Sequence, residues 1–190
     1  MKKYCSECGK RLERRWSDTD QRERDVCGAC GTVHYENPQV IVWCFAHWRR
    51  QIVLCRRAHE PARGLWIAPG GFVEAGETLE EATAREVKEE AGFDVPPSSL
   101  VLYRVVSVPH MNQVWVGFRT KLDAVPIFKP GPEVSEVRLF GEQDAPYREI
   151  AFREFHPDVP EDFFRYLKAR KFPVAAHTRR MSDDRKTLGN

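Results

Sequence analysis

The chain has 190 residues, 42% hydrophobic and 31% charged, enough for a real core but too short for a large multidomain assembly. Thirty basic and twenty-eight acidic side chains leave a net charge of +2, which excludes a protein that works by coating nucleic acid or an anionic membrane. No apolar run approaches the roughly 20 residues of a membrane span. The opening Met1-Lys-Lys-Tyr-Cys5 leads into charge instead of a signal-peptide core, so a cytoplasmic protein is expected.

Four of the six cysteines form two tight pairs, Cys5-Ser-Glu-Cys8 and Cys27-Gly-Ala-Cys30, with eighteen residues between the pairs. Two close thiolates from one turn can hold one ion, and two such turns complete a tetrahedral sulfur cage for Zn2+. Gly9 and Gly31 each follow the second cysteine of a pair, where positive φ lets the backbone wrap round the sulfurs. Four thiolates leave no open position, so this zinc is expected to be structural, and residues 1–36 read as a zinc ribbon. The stretch Lys10–Val26 holds six basic and five acidic residues, not the one-sided charge of a nucleic-acid finger, so no nucleic-acid partner is expected. His34 reads as a surface or packing residue, and Cys44 and Cys55 as buried free thiols.

Asn37-Pro38 then breaks the chain. Gln39–Ala46 reads as a buried strand, His47–Arg50 as a turn, and Gln51–Arg56 as the second strand of a hairpin. Gly64–Ile67 gives a short strand that Pro69-Gly70-Gly71 interrupts. From Thr78 the period changes to that of a helix: Thr78 and Glu81 make a capping box, Leu79, Thr83, Val87 and Ala91 share one face, and Gly92 ends it. Leu100–Val108, Gln113–Leu122 and Val137–Phe140 read as strands. Asp158-Val-Pro160 opens a last helix carrying Phe163, Phe164 and Leu167. Strands mixed with two helices predict an α/β sandwich. Residues 37–176 are expected to form that domain and 177–190 a disordered tail.

Seven glutamates lie between Glu74 and Glu90, against only Arg85 and Lys88. Glu80 and Glu81 suit the first helical turn, where the dipole favours anions. Glu86, Glu89 and Glu90 do not: they crowd one face near the C-terminal end, repelling each other by a few tenths of a kcal/mol per pair. A divalent cation removes the conflict, since three carboxylates offer the hard oxygens that Mg2+ or Mn2+ prefers. A solvated acidic face is the plain alternative.

Gly71, five residues, Glu77, seven residues and Arg85-Glu86-Val87-Lys88-Glu89-Glu90-Ala91-Gly92-Phe93 resemble the Nudix box at every defining position over 23 residues. The resemblance implies an α/β/α sandwich with a mixed sheet, whose box binds Mg2+ or Mn2+ and hydrolyses a nucleoside diphosphate linked to another group. It implies Glu86, Glu89 and Glu90 as metal ligands with the Gly71 carbonyl as a further one, and Arg85 paired with Glu77 to hold the loop. For the general base it leaves the box glutamates, Glu133 and Glu136 open, with Glu136 slightly preferred. A ribbon before such a domain resembles NADH pyrophosphatases. Their Ser-Gln-Pro-Trp-Pro-Phe-Pro-x-Ser stretch, however, is replaced here by Ser107-Val-Pro-His-Met-Asn-Gln113. Tyr35-Glu-Asn-Pro38 and Gly131–Phe140 look more similar to FAD and ADP-ribose pyrophosphatases, which implies AMP and a second monophosphate as products. Hydrolysis of NADH, house-cleaning of nucleoside triphosphates and nucleotide sensing without cleavage are the alternatives. Trp43, Trp48, Trp66 and Trp115 offer stacking faces, although aromatics in strands are more often core, and His110 and Gln113 are candidates to face substrate. A homodimer is compatible with the resemblance.

Overall fold

Two cysteine turns organise the N-terminal unit. In the computed structural model, which describes residues 3–154 and 159–178, Gly9 and Gly31 take φ of 72° and 75°, and their amides donate to the Cys5 and Cys27 carbonyls at 3.0 and 2.8 Å. Between and after these turns run β1 (Leu12–Ser17), β2 (Arg22–Cys27) and β3 (Val33–His34), an antiparallel sheet in that order. None of these strands was readable from pattern, because charged residues such as Arg14, Arg15, Glu23 and Arg24 occupy both faces. The backbone ladder and the two turns hold them instead of an apolar face.

The chain divides into two compact units after Pro38. The second unit contains β4 (Gln39–Trp48), β5 (Gln51–Arg57), β6 (Trp66–Ile67), β7 (Gly70–Phe72), α1 (Leu79–Ala91), β8 (Val101–Val108), β9 (Gln113–Lys121), β10 (Val134–Gly141), α2 (Val159–Ala169) and β11 (Ala175–Thr178). Its sheet runs β10-β5-β4-β9-β8-β11, with β6 against β5 and β7 against β4. The pairs β4/β9 and β8/β11 are parallel and the others antiparallel, so the sheet is mixed as expected.

Alternation along the central strands builds two cores. Val42, Cys44, Ala46, Val53 and Cys55 point to one face and pack with Ala82, Val87 and Ala91 of α1. Trp43, Phe45, Ile52 and Leu54 point to the other and pack with Phe163 and Phe164 of α2. Both faces of the sheet are therefore covered, which is why β4 and β5 read as nearly continuous apolar runs. Cys44 and Cys55 are fully buried free thiols, and burial raises both thiol pKa values above the ordinary range.

Three details differ from the sequence reading. Gly70–Phe72, expected as an interruption, is a strand paired with Ile41–Trp43. Only a residue without a side chain fits there, since a Cβ on Gly70 would fall 2.2 Å from the Val42 carbonyl oxygen. The strand expected at 137–140 extends to Val134–Gly141 around a register shift between Val134 and Glu136. Finally, His177 and Thr178, expected in the tail, belong to β11, an added parallel edge strand. The rest of that expected tail, 179–190, lies outside the described residues, as does Asp158 at the expected start of α2. No described helix is long and apolar enough to cross a membrane.

Candidate active site and metal centre

The helix that bears the glutamates begins as its sequence dictates. Thr78 Oγ1 accepts from Glu81 N at 3.2 Å, Glu81 Oε2 accepts from Thr78 N at 2.8 Å, and Gly92 ends the helix in the left-handed region with φ of 78°. Ahead of it, β7 brings Gly70 and Gly71 against the C-terminal half of α1. Gly70 N donates to Glu90 Oε2 at 2.9 Å. A Cβ on Gly71 would lie 2.5–2.7 Å from the Glu86 carboxylate, so glycine is the residue that lets the β7 backbone approach this side chain.

Arg85 ties the loop to the helix. Its Nε and Nη2 donate to Glu77 Oε1 and Oε2 at 2.7 and 3.0 Å, and a further Nη2 bond reaches the Phe72 carbonyl at 2.9 Å. Its Nη1 meets Glu86 Oε1 at 2.7 Å and Glu89 Oε2 at 3.1 Å. The two-pronged contact holds the Glu77 pKa below the usual carboxylate range. Burial does the opposite at the other carboxylates: it raises Glu86, and it raises Glu90, only 8% exposed, to about 7. The Glu133 charge adds to both shifts.

Glu133 reaches this region because its loop is fastened to α1. Lys129 N and Gly131 N donate to the Ala91 and Glu90 carbonyls at 3.0 and 3.2 Å, and Ala58 N donates to the Glu133 carbonyl at 2.9 Å. Glu136 stands elsewhere: it lies on β10 opposite Arg56, with its carboxylate 3.8 Å from both Arg56 and Arg138. Of the two carboxylates outside the box that sequence leaves open, it is Glu133 whose charge bears on Glu86 and Glu90.

Glu86, Glu89 and Glu90 do not converge on one point; they lean on Arg85 and Gly70. Their donor set is nonetheless one that a hard divalent cation fits, oxygen only, with Glu90 buried and its pKa raised by that burial. Among the described residues, the one group of three or more side chains whose ligand atoms all lie within 4.8 Å of each other is Cys5, Cys8, Cys27 and Cys30. Sulfur separations of 3.4, 3.5 and 3.6 Å are close to the ~3.8 Å between corners of a tetrahedron with Zn–S bonds of about 2.3 Å. The sulfurs also have outer partners, Thr32 Oγ1 at 3.2 Å from Cys30 and His34 Nε2 at 3.3 Å from Cys5, so His34 packs beside the thiols.

The aromatics expected as stacking faces are mostly interior: Trp43, Trp66 and Trp115 are buried, and Trp115 Nε1 donates to Gln113 Oε1 at 2.8 Å. Trp48 is half-buried and His110 is exposed. Sequence reasoning missed three residues at the rim. Phe72, next to Gly71, is 47% exposed; Arg57 ends β5; and Phe152 lies over Arg57. An exposed aromatic beside the box glycines was the available signal for Phe72. Arg57 and Phe152 meet only through the fold.

A mixed sheet covered on both faces, with an acidic loop and helix on one of them, defines the fold class, and comparison gives the family. The model of the NUDIX domain matches residues 37–163, and that of the Nudix N-terminal zinc ribbon matches residues 3–36. The chain belongs to the Nudix family. It is similar to a Nudix hydrolase from Nitrosomonas europaea, with a TM-score of 0.81 and 41% identity over 94% of this chain and all of that one. It is 29% identical to the NAD-capped RNA hydrolase NudC of Stutzerimonas stutzeri over 73% of this chain and 48% of that protein. It is 43% identical to the ADP-ribose pyrophosphatase of Methanocaldococcus jannaschii over 35% of this chain and 40% of that protein. The chain thus spans about half the length, or less, of these curated relatives.

Proposed function

We propose that the protein is a Mg2+- or Mn2+-dependent pyrophosphatase. Its substrate is a nucleoside diphosphate linked to another moiety, such as ADP-ribose or FAD, and its products are AMP and a second monophosphate. The observation that carries this reading is the Gly71–Glu77–Arg85 frame, in which one arginine locks the loop to the helix and presents Glu86, Glu89 and Glu90 beside the β7 backbone. Glu86, Glu89 and Glu90, with the Gly71 carbonyl, would hold the divalent cation. When bound, the cation neutralises diphosphate oxygens and acidifies water.

The protein's own groups do the rest. Glu133, on the loop fastened to α1, takes the proton of the attacking water; the preference for Glu136 drawn from sequence gives way to it because Glu136 faces Arg56 and Arg138. Water oxygen forms one bond to phosphorus, the bridging P–O bond breaks, and the departing monophosphate keeps the electron pair. Glu77 and Arg85 hold the loop so that little rearrangement is needed at that moment. We further propose Zn2+ in the four-cysteine site as a structural ion with no part in these steps.

The test is direct incubation with Mg2+ or Mn2+ and ADP-ribose, FAD, NADH, a nucleoside triphosphate set and an NAD-capped RNA, followed by quantification of released mononucleotides. The capped RNA belongs in the panel because a similar protein carries that name, although the balanced ribbon charge predicts no nucleic-acid partner. AMP release from a diphosphate-linked substrate is expected. Binding without release from any of them would leave a nucleotide sensor.

A further inference from the structure

Phe152 and Arg57 form a pair that the steps above do not use. Phe152 ends a short strap laid along β6, where Ile150 bridges to Trp66 and Ala151 N donates to the Trp66 carbonyl at 2.8 Å. Its φ is 56°, a left-handed conformation that a bulky side chain seldom adopts and that persists where surrounding structure enforces it, commonly beside functional sites. The partly exposed ring meets Trp115 edge-on at 6.1 Å, and the Arg57 guanidinium carbon stands 5.5 Å from its centroid.

Arg57 is held by its backbone and its Nε. Its backbone N–H donates to the Leu65 carbonyl and its carbonyl accepts from Gly64 N, both at 2.9 Å, while Nε donates to the Pro61 carbonyl at 2.8 Å. The neighbouring Ala58 N binds the Glu133 carbonyl, and the Glu133 loop is bound to the Glu90 carbonyl through Gly131 N. The backbone next to Arg57 is thus tied through the Glu133 loop to the end of α1 that carries Glu90. Yet Arg57 forms no ion pair among the described residues. An arginine whose strand end is fastened to this loop and that pairs with no carboxylate there keeps its two Nη groups for another anion.

We infer that Arg57 docks the substrate's diphosphate through its Nη fork, and that Phe152 is the positioning residue that holds this guanidinium at the rim of the carboxylate cluster. The substrate class rests on the function proposed above. The guanidinium is planar and matches two phosphate oxygens at once, and a ring face beneath it restrains its tilt without competing for its hydrogens. The strain at Phe152 then has a purpose, since the ring reaches Arg57 from a strap fixed to the strand that leads into the box.

Calorimetric binding of α,β-methylene-ADP, whose bridge cannot be hydrolysed, tests this without turnover. Arg57→Ala is expected to weaken binding about 10- to 100-fold, the range for a lost charge-assisted pair, and Arg57→Lys to recover little. Phe152→Ala is expected to weaken it about 3- to 30-fold, as for a partly desolvated cation–π contact, with Phe152→Tyr restoring it. Phe152→Leu keeps apolar bulk without a π face and should resemble Phe152→Ala, and the Arg57→Ala/Phe152→Ala double variant should bind like Arg57→Ala alone. Unchanged binding in Arg57→Ala, or no binding by the wild type, overturns the docking role. A Phe152→Leu protein that binds like wild type, or a full second loss in the double variant, overturns the positioning role. If the wild type binds this probe through Arg57 but cleaves nothing in the panel, the hydrolysis reading fails and the docking inference stands.

Discussion

Glu89 and Glu90 sit one residue apart in very different surroundings, and this separates their effects on substitution. Glu89 has a 58% exposed side chain held by Arg85, whereas Glu90 is buried and bonded to Gly70 N. Glu89→Gln should leave the melting temperature where it is and lower turnover by about two orders of magnitude or more, the scale of one lost electrostatic contact in a reacting site. Wild-type rates in that variant would remove the helix from the chemistry. Glu133→Gln should lower kcat with little change in KM, and Glu136→Gln should change neither, which a pair of saturation curves distinguishes. The box was legible because its chemistry is local: Gly71, Glu77 and Arg85 meet across a single loop and helix. What favours Glu133 over Glu136 as the proposed base was not, since it lies in hydrogen bonds between a distant loop and the end of α1.

At the scale of elements, α1 and the 129–133 loop behave as one piece. A Cβ on Gly131 would fall 1.9 Å from the Glu89 carbonyl oxygen, so Gly131→Ala must push the loop off the helix. The expected result is a large loss of turnover in a protein whose far-UV spectrum is unchanged, because the loop carries Glu133 but not the core. The opposite layer is held by aromatics: Phe163 is fully buried, 4.7 Å from Phe45, 5.4 Å from Tyr103 and 5.3 Å from Phe172 between ring centroids. Phe163→Ala should cost about 3–5 kcal/mol in denaturant unfolding. His47 packs on the same ring, and burial first, then the nearby Arg119 and Lys121 charges, lowers its pKa below 6.5. The unfolded chain therefore binds the proton more readily than the fold. The stability linked to His47 is complete above about pH 7 and is lost as pH falls through about 6.5 toward the folded value. Melting curves of His47→Gln should show a flatter pH dependence over that window than wild type.

For the molecule as a whole, the division after Pro38 makes the ribbon a separate test. Metal analysis should return one tightly held zinc per chain, and Cys27→Ser should lose it and unfold the ribbon, since a structural site of this kind supplies folding free energy directly. The second unit has its own two-faced core and should keep its thermal transition. A calorimetric trace in which both units melt together at lower temperature would contradict that independence.

By itself the sequence determined whatever depends on near neighbours or on a period: the cysteine turns, the capped helix with its glutamates, and the apolar runs that become β4, β5, β8 and β9. Spacing encodes these directly, because thiols three residues apart or carboxylates one helical turn apart meet in almost any fold. Tertiary structure alone decided the charged strands of the ribbon, the β7 strand made from two glycines and a phenylalanine, the edge strand β11, and the meeting of Arg57 with Phe152. Each of these is stabilised by a backbone ladder or a ring face, near in the chain for the ribbon strands and distant for the others, and a contact of that kind leaves no pattern in the residues that make it.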